Sequence, residues 1–160
     1  MSMIGSLLAV PQAELDELYD NPKTITSVLY GSRSDEAADL DKTWHAIHFM
    51  LTGEQYEGTP PLCNAIFGMQ PIGEEDVGYG PALGTPADIV QRIAVKLSAI
   101  SDPDFCARFD SDALMQADIY PQIWDDEEIL NDYILPNFKA LRNFYMKAAE
   151  NNYAVITFIN

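Results

Sequence analysis

Two segments near the ends of the chain have the composition of buried strands. Residues 3–10, MIGSLLAV, and residues 153–159, YAVITFI, are short and almost wholly apolar, and the second is rich in β-branched and aromatic side chains. Such runs are typical of strands buried in a sheet. We therefore predict two strands that are neighbours in one sheet.

Most of the chain between them has the periodicity of amphipathic helices. The clearest case is residues 85–100, where Val90, Ile93 and Leu97 fall three and four positions apart. Thr85 is the expected N-cap, and a proline follows it at the first helical position. The same reading predicts helices at 11–21, 22–31, 39–53, 102–109, 111–119 and 134–152.

Further strands are expected to be few and short. Residues 62–73 have a buried-strand character in their centre, and a short strand is expected at 78–83. Helices and strands do not alternate regularly, which argues against a parallel βαβ sheet. The fold class is therefore α+β: a mostly helical single domain over 1–160, with one small β-sheet formed partly by the N- and C-terminal strands.

The charge of the chain is unusual and unevenly distributed. The formal net charge is -16, and residues 102–132 hold ten acidic residues and one basic residue, a net charge of -9. This field repels nucleic-acid phosphates and anionic membrane surfaces. We expect no nucleic-acid or membrane partner, whereas a basic protein partner is compatible; the alternative is that the acidity only keeps the protein soluble.

The cysteines and the apolar segments indicate a compartment. Cys63 and Cys106 are far apart in sequence and are expected to be free thiols, as in a reducing environment. The first 15 residues lack a positively charged leader, and no apolar run is long enough to span a membrane. The expectation is a cytoplasmic protein, whose oligomeric state the sequence does not indicate.

The stretch DLDKTWHAIHFMLTG, residues 39–53, contains both histidines of the chain. Asp41 and His45 are four apart on the predicted helix, so the carboxylate could orient the imidazole as an acid–base pair, with His48 nearby. The structural alternative makes Asp41 a first-turn residue and His48 a core-edge histidine bonded to a backbone carbonyl. No metal site is expected, because two histidines at this spacing lack a third ligand.

An aromatic segment adjoins the acidic stretch. Tyr120 and Trp124 flank a proline in YPQIW, and Asp125 and Asp126 begin the run DDEE. Aromatic residues beside carboxylates are typical of a surface for a basic partner, although they could equally cap the core. A cleft between the Trp44 helix and YPQIW could also bind a small ligand.

Nucleotide and covalent-catalysis motifs are absent. There is no Walker A, HExxH, EF-hand or G-x-S-x-G pattern, and GYGPALG misses the dinucleotide fingerprint by one position. We expect no cofactor. Two functions remain as hypotheses: a non-catalytic protein that binds a basic partner in an immunity-type or regulatory role, or a small hydrolase that uses Asp41 and His45.

Five segments together are similar to a known family: MSMIGSLLAV, DLDKTWHAIHFMLTG, GYGPALGTPADIVQRIA, DIYPQIW and FYMKAAENNYAVITFI. They resemble the YfbM-like family of small bacterial proteins over essentially the whole chain. The match leads us to expect the enterobacterial member itself. The resemblance implies a compact single-domain α+β fold and a cytosolic protein. It implies no catalytic residue, cofactor or substrate, because the family is a domain of unknown function.

Overall fold

The structure is a computed structural model that describes residues 2–160. Within them, the chain forms five strands and eight α-helical segments, joined by 3-10 and π turns. The strands are β1 (Gly5–Pro11), β2 (Ala38–Asp39), β3 (Gln70–Pro71), β4 (Leu83–Thr85) and β5 (Tyr153–Ile159). The helices are α1 (Gln12–Asp20), α2 (Ile25–Ser27), α3 (Trp44–Thr52), α4 (Asn64–Phe67), α5 (Ala87–Ser98), α6 (Asp102–Cys106), α7 (Ser111–Gln116) and α8 (Leu135–Glu150).

The first and last long strands are neighbours in the sheet, as predicted. β1 and β5 pair antiparallel along their whole length, from Gly5 opposite Ile159 to Pro11 opposite Tyr153. β4 pairs with the other edge of β5, and the sheet order is β2-β1-β5-β4-β3, antiparallel throughout. The α+β class with one small sheet is confirmed.

Each face of the sheet is covered by a different set of helices. Successive strand residues point to opposite sides, so Val155 and Thr157 of β5 lie on one face and Ile156 and Phe158 on the other. The first face packs against α3, α5 and α8 in the larger of two core clusters. The second packs against α1 and the segment 22–32 in a smaller cluster. We call these the α3 face and the α1 face.

The helix predicted at 85–100 forms, but its N-terminus differs from the prediction. Thr85 is the last residue of β4, and Pro86 occupies the N-cap position of α5. The expectation that Thr85 caps this helix is therefore wrong. The first amide of the helix, that of Ala87, instead donates to the side-chain oxygen Oε1 of Gln12 at 2.7 Å. Val90, Ile93 and the other stripe residues are buried as expected.

The segment 62–73 is not the strand that its composition suggested. Its centre forms the short helix α4, and only Gln70–Pro71 pairs in the sheet. The strand expected at 78–83 forms a few residues later, at Leu83–Thr85. Both strands are too short to leave a period-two signal in the sequence. Among the described residues, no helix is long and apolar enough to cross a membrane.

Candidate functional site

A cavity of about 250 Å³ opens on the α3 face of the sheet, between the ends of β4 and β5, helix α3 and the chain around Tyr120. Most of its lining side chains are aromatic or aliphatic, and none is charged. We call it the aromatic cavity; its lining residues are Met3, Trp44, Tyr56, Ile66, Phe67, Tyr79, Pro81, Leu83, Tyr120, Thr157, Phe158 and Ile159.

The structure brings Trp44 and Tyr120 together in one wall of the cavity. Their rings stack with centroids 5.8 Å apart and an interplanar angle of 26°. The backbone of Met3 fixes both side chains. The indole Nε1 of Trp44 donates to the Met3 carbonyl at 2.9 Å, and the Met3 amide donates to the Tyr120 hydroxyl at 2.9 Å. The cleft suggested by the sequence between α3 and YPQIW therefore exists, and hydrogen bonds hold its walls.

His45 is buried behind this wall, and both of its ring nitrogens are engaged. Nδ1 accepts the backbone N–H of Tyr120 at 2.9 Å, so the ring proton is on Nε2, which donates to the carbonyl of Gln55 at 2.9 Å. Burial lowers the pKa of His45, and the bond to the Gln55 carbonyl opposes this only in part. His45 is thus a neutral histidine without a free lone pair, the opposite of what a general base requires.

His48 has a similar role one turn later in α3. Its Nε2 donates to the carbonyl of Glu57 at 2.8 Å, as the structural alternative predicted. Burial is the main cause that lowers its pKa to about 4; the bond to the Glu57 carbonyl opposes this shift, and proximity to His45 adds to it. The two histidines hold the carbonyls of Gln55 and Glu57, on either side of Tyr56. They therefore fix the loop that places Tyr56 at the rim of the cavity.

Aromatic contacts connect this loop to the wall. The ring of His45 stacks on Trp44 with centroids 4.9 Å apart, and on Tyr56 with centroids 5.1 Å apart. Phe67 packs edge-on against both Trp44 and His48. The helix, the 53–58 loop and α4 thus meet in one aromatic cluster behind and around the cavity.

Asp41 does not form the predicted pair with His45. Between residues 2 and 160, no hydrogen bond or ion pair joins the two side chains, and Asp41 lies in the 3-10 turn before α3 with φ of 51°. Its carboxylate faces Tyr133, whose hydroxyl accepts the backbone N–H of Lys42 at 3.1 Å. Burial raises the pKa of Tyr133 to about 12, and the charge of Asp41 contributes in the same direction.

Of the binding candidates in the acidic segment, some are buried in the core and others are exposed on the surface. Trp124 is fully buried, and its indole N–H donates to the carbonyl of Ile119 at 2.9 Å. It belongs to the core and is unavailable to a partner, which corrects its selection as a binding residue. Asp125 and Asp126 are exposed. Tyr120 is half-buried and faces the aromatic cavity.

Of the twelve residues that line the cavity, only Trp44 and Tyr120 were selected as candidates from the sequence. Tyr56, Phe67 and Tyr79 lie in loops or short helices whose positions no periodicity predicts. Thr157 had a signal that could have been used, since it is the only threonine or serine in YAVITFI, the sequence of β5, and it lies on the α3 face. A polar residue at a buried strand position indicates either a hydrogen-bond partner or a functional cavity.

The fold defines a class: single-domain α+β proteins built on one small antiparallel sheet. Within that class the chain belongs to the DUF1877 family, a domain of unknown function, whose family model matches residues 1–158. It is similar to a crystal structure described as a protein of unknown function, YfbM from Escherichia coli. The two are 23% identical, over 98% of this chain and 99% of that one, with a TM-score of 0.76.

These comparisons confirm the YfbM-like family and the α+β fold. At 23% identity, however, the chain is a distant relative of the Escherichia coli protein, so the expectation that it is the enterobacterial member itself is wrong. No curated protein matches the chain significantly.

Proposed function

We propose that this protein is a non-catalytic binding protein whose aromatic cavity takes a small, uncharged, mainly apolar molecule. The observation that carries the proposal is the cavity itself: about 250 Å³, enclosed by aromatic and aliphatic side chains from separate parts of the chain, without a charged group. Concave, mainly apolar sites with few polar groups are typical of small-molecule binding.

The size and rigidity of the cavity support a ligand of one or two rings. Its volume lies just below the common range for ligand pockets, about 300 to 1,000 Å³. Hydrogen bonds from Met3 and His45 hold Trp44 and Tyr120 in place before any ligand arrives. A preformed wall reduces the entropy that binding costs, so even a small contact area can give useful affinity.

Charge supports a neutral occupant. The chain has a formal net charge of -16, and no lysine, arginine or histidine side chain lines the cavity. An anion would therefore enter a negative field without a cationic partner.

The hydrolase alternative receives less support from the geometry. A general base needs an accessible lone pair within reach of a substrate. The Nδ1 lone pair of His45 accepts the Tyr120 amide, and Asp41 faces Tyr133 from the 3-10 turn before α3.

Fragment binding tests the proposal. Ligand-observed NMR with uncharged mono- and bicyclic aromatic fragments should detect binders of micromolar to millimolar affinity. Leu83→Trp places a large ring in the cavity and should weaken binding at least tenfold. Val95→Trp adds the same ring to an exposed position of α5, where Val95 is 69% exposed, and should leave binding unchanged. Absence of any binder, or equal binding by both variants, would contradict the proposal.

A basic protein partner stays as a second candidate, and the acid run Asp125–Glu128 favours it. All four of these residues are exposed, and none of them forms an ion pair within the described chain. Uncompensated surface carboxylates attract a complementary surface and speed its association.

The test is salt-dependent capture of a partner, followed by titration of that purified partner. The double variant D125N/D126N should weaken its binding more than E17Q/D20N, which removes the same charge from exposed positions of α1. Equal effects of the two variants would show only a general field, and insensitivity to salt would exclude this candidate.

We also propose that the protein is bacterial and cytoplasmic. Cys63 and Cys106 are both free, and burial raises the pKa of the Cys63 thiol, which disfavours its reactive thiolate form. Free thiols are usual in a reducing compartment. Cell fractionation with an antibody against the protein checks this, and recovery from the periplasm would contradict it.

A further inference from the structure

One residue of the cavity wall, Thr157, has a buried hydroxyl without a hydrogen-bond partner. Thr157 is 1% exposed and lines the cavity, and its Oγ1 makes no hydrogen bond. A buried hydroxyl without a hydrogen bond costs about 1–3 kcal/mol, which valine would avoid at a position otherwise suited to it.

The position of this hydroxyl is defined by its neighbours. Thr157 pairs with Leu83 of β4 and with Leu7 of β1, so it lies in the middle of the sheet on the α3 face. A Cβ built on Gly68 would lie 2.7 Å from Thr157 Oγ1, which places the oxygen directly beneath the turn that follows Phe67. Phe67 and Leu83 both line the cavity, so Thr157 lies in the part of the cavity wall that these two residues share.

Two other buried side-chain atoms lack a hydrogen bond among the described residues, and neither is in the cavity. They are Nδ1 of His48 and Oγ1 of Thr85. Thr85 lies on β4 beside Val155, on the same face as Thr157, and is equally buried. The chain therefore offers two threonines with the same environment in the sheet, of which only Thr157 meets the cavity.

We propose that Thr157 determines which ligand the cavity takes: a ring compound with one neutral hydrogen-bonding group, such as a hydroxyl or a carbonyl, on the side that meets Thr157. This inference rests on the proposed function and names the polar feature of its ligand. Because Oγ1 has no partner, only packing fixes its rotamer, and it can turn toward a ligand without breaking a hydrogen bond. A hydroxyl both donates and accepts, so either kind of group satisfies it.

A pair of probes of equal size tests the inference by calorimetric titration. In 2-naphthol a hydroxyl replaces the methyl group of 2-methylnaphthalene. Thr157→Val should weaken the binding of 2-naphthol about tenfold, the magnitude of one buried hydrogen bond, and leave 2-methylnaphthalene unchanged. Thr157→Ser keeps the hydroxyl and should retain the preference. Thr85→Val is the matched control and should bind both probes like the wild type.

The outcomes separate the two proposals. If both probes bind and Thr157→Val weakens neither, or weakens both equally, Thr157 is not the determinant and the inference is overturned while the cavity keeps its function. If neither probe binds the wild type, the proposed function fails and this inference fails with it. An amide NMR spectrum of each variant, with the dispersion of the wild type, verifies that the fold is kept.

Discussion

Strand β5 supplies residues to both faces of the sheet, and the two faces are filled differently. On the α1 face, Ala154, Ile156 and Phe158 pack into a continuous apolar cluster, although Phe158 also borders the aromatic cavity. On the α3 face, Val155 packs into the larger cluster, but Thr157 lies in the wall of the aromatic cavity. Within one seven-residue strand, one face is filled by packed side chains and the other borders open space.

The two faces differ because hydrogen bonds fix the walls of the aromatic cavity on the α3 face. The cavity lies where the sheet, α3 and two loops converge, and hydrogen bonds hold the loops open. Met3 fixes Trp44 and Tyr120, and the two histidines of α3 fix the carbonyls on either side of Tyr56. A core can retain an unfilled volume only if its walls are prevented from collapsing, because empty space forfeits dispersion contacts.

Truncation of one isoleucine on each face of the sheet tests most directly whether the two faces are packed differently. Ile72 is fully buried on the α1 face, and Ile66 borders the aromatic cavity. We expect Ile72→Ala to cost about 4 kcal/mol in the free energy of unfolding, because it opens a new void in a filled core. Ile66→Ala should cost about 2 kcal/mol, since its side chain already faces open space. Urea unfolding measures both; equal losses would mean that the faces are packed alike.

Acid should affect the α3 face selectively, because both histidines lie there. Burial lowers the pKa of His48 to about 4, and lowers that of His45 from its usual 6.5. Between pH 6.5 and 4 the unfolded chain binds more protons than the folded chain, so the stabilisation present above pH 6.5 is lost as the pH falls. For His48 the loss reaches about 3 kcal/mol near pH 4.

The measurement is the difference in unfolding free energy between the wild type and His48→Gln, from pH 7.5 to 4.5. Glutamine can still donate to the Glu57 carbonyl but does not titrate in this range, and the many carboxylates contribute equally to both proteins. The wild type should lose its advantage as the pH falls. A difference that does not change with pH would show that His48 is not held neutral.

Substitutions that enlarge a side chain test the same difference between the two faces as the truncations do. Ala154→Val introduces two carbons into the filled α1 face, and overpacking there should cost about 1–3 kcal/mol. Thr157→Ile adds carbon toward the cavity and removes an unpartnered hydroxyl, so its effect should be near zero or stabilising by up to about 1 kcal/mol. Thermal unfolding of both variants decides; destabilisation by Thr157→Ile as large as that by Ala154→Val would indicate that the cavity is not available space.

The smallest effects concern two tyrosine hydroxyls. That of Tyr30 donates to the carbonyl of Val77 beside the α1 face, whereas that of Tyr56, at the cavity rim, forms no hydrogen bond with any described residue. Tyr30→Phe should cost about 1 kcal/mol, and Tyr56→Phe should be neutral within about 0.5 kcal/mol. Denaturant unfolding again gives the values, and a loss for Tyr56→Phe would reveal a role in the fold that its exposure does not suggest.

The elements that depend on composition and period could be predicted from the sequence. The terminal strands are seven-residue apolar runs, and α5 and α8 have complete apolar stripes, so local chemistry determines them. The short strands β2, β3 and β4 could not be placed correctly, because two or three residues have no period and their positions depend on pairing with distant strands of the sheet.

The site was only partly predictable, because it depends on contacts between distant residues. Trp44 and Tyr120 were selected as candidates, but their meeting rests on Met3, which is 117 residues from Tyr120. The role of His45 stayed open between acid–base chemistry and structure for a similar reason. The partner of Nδ1 is the backbone amide of Tyr120, 75 residues away, and no local pattern shows that a backbone group will occupy a lone pair.

The two tryptophans differ in a way that provides an optical reporter. Trp124 is sealed in the core with its indole bonded to a backbone carbonyl, whereas Trp44 lines the aromatic cavity and stacks on His45. An entering ring or a proton on His45 would change the emission of Trp44 and leave that of Trp124 constant. With Trp124→Phe, the remaining indole becomes a single intrinsic fluorophore at the cavity wall, so that occupancy can be followed by fluorescence without a label.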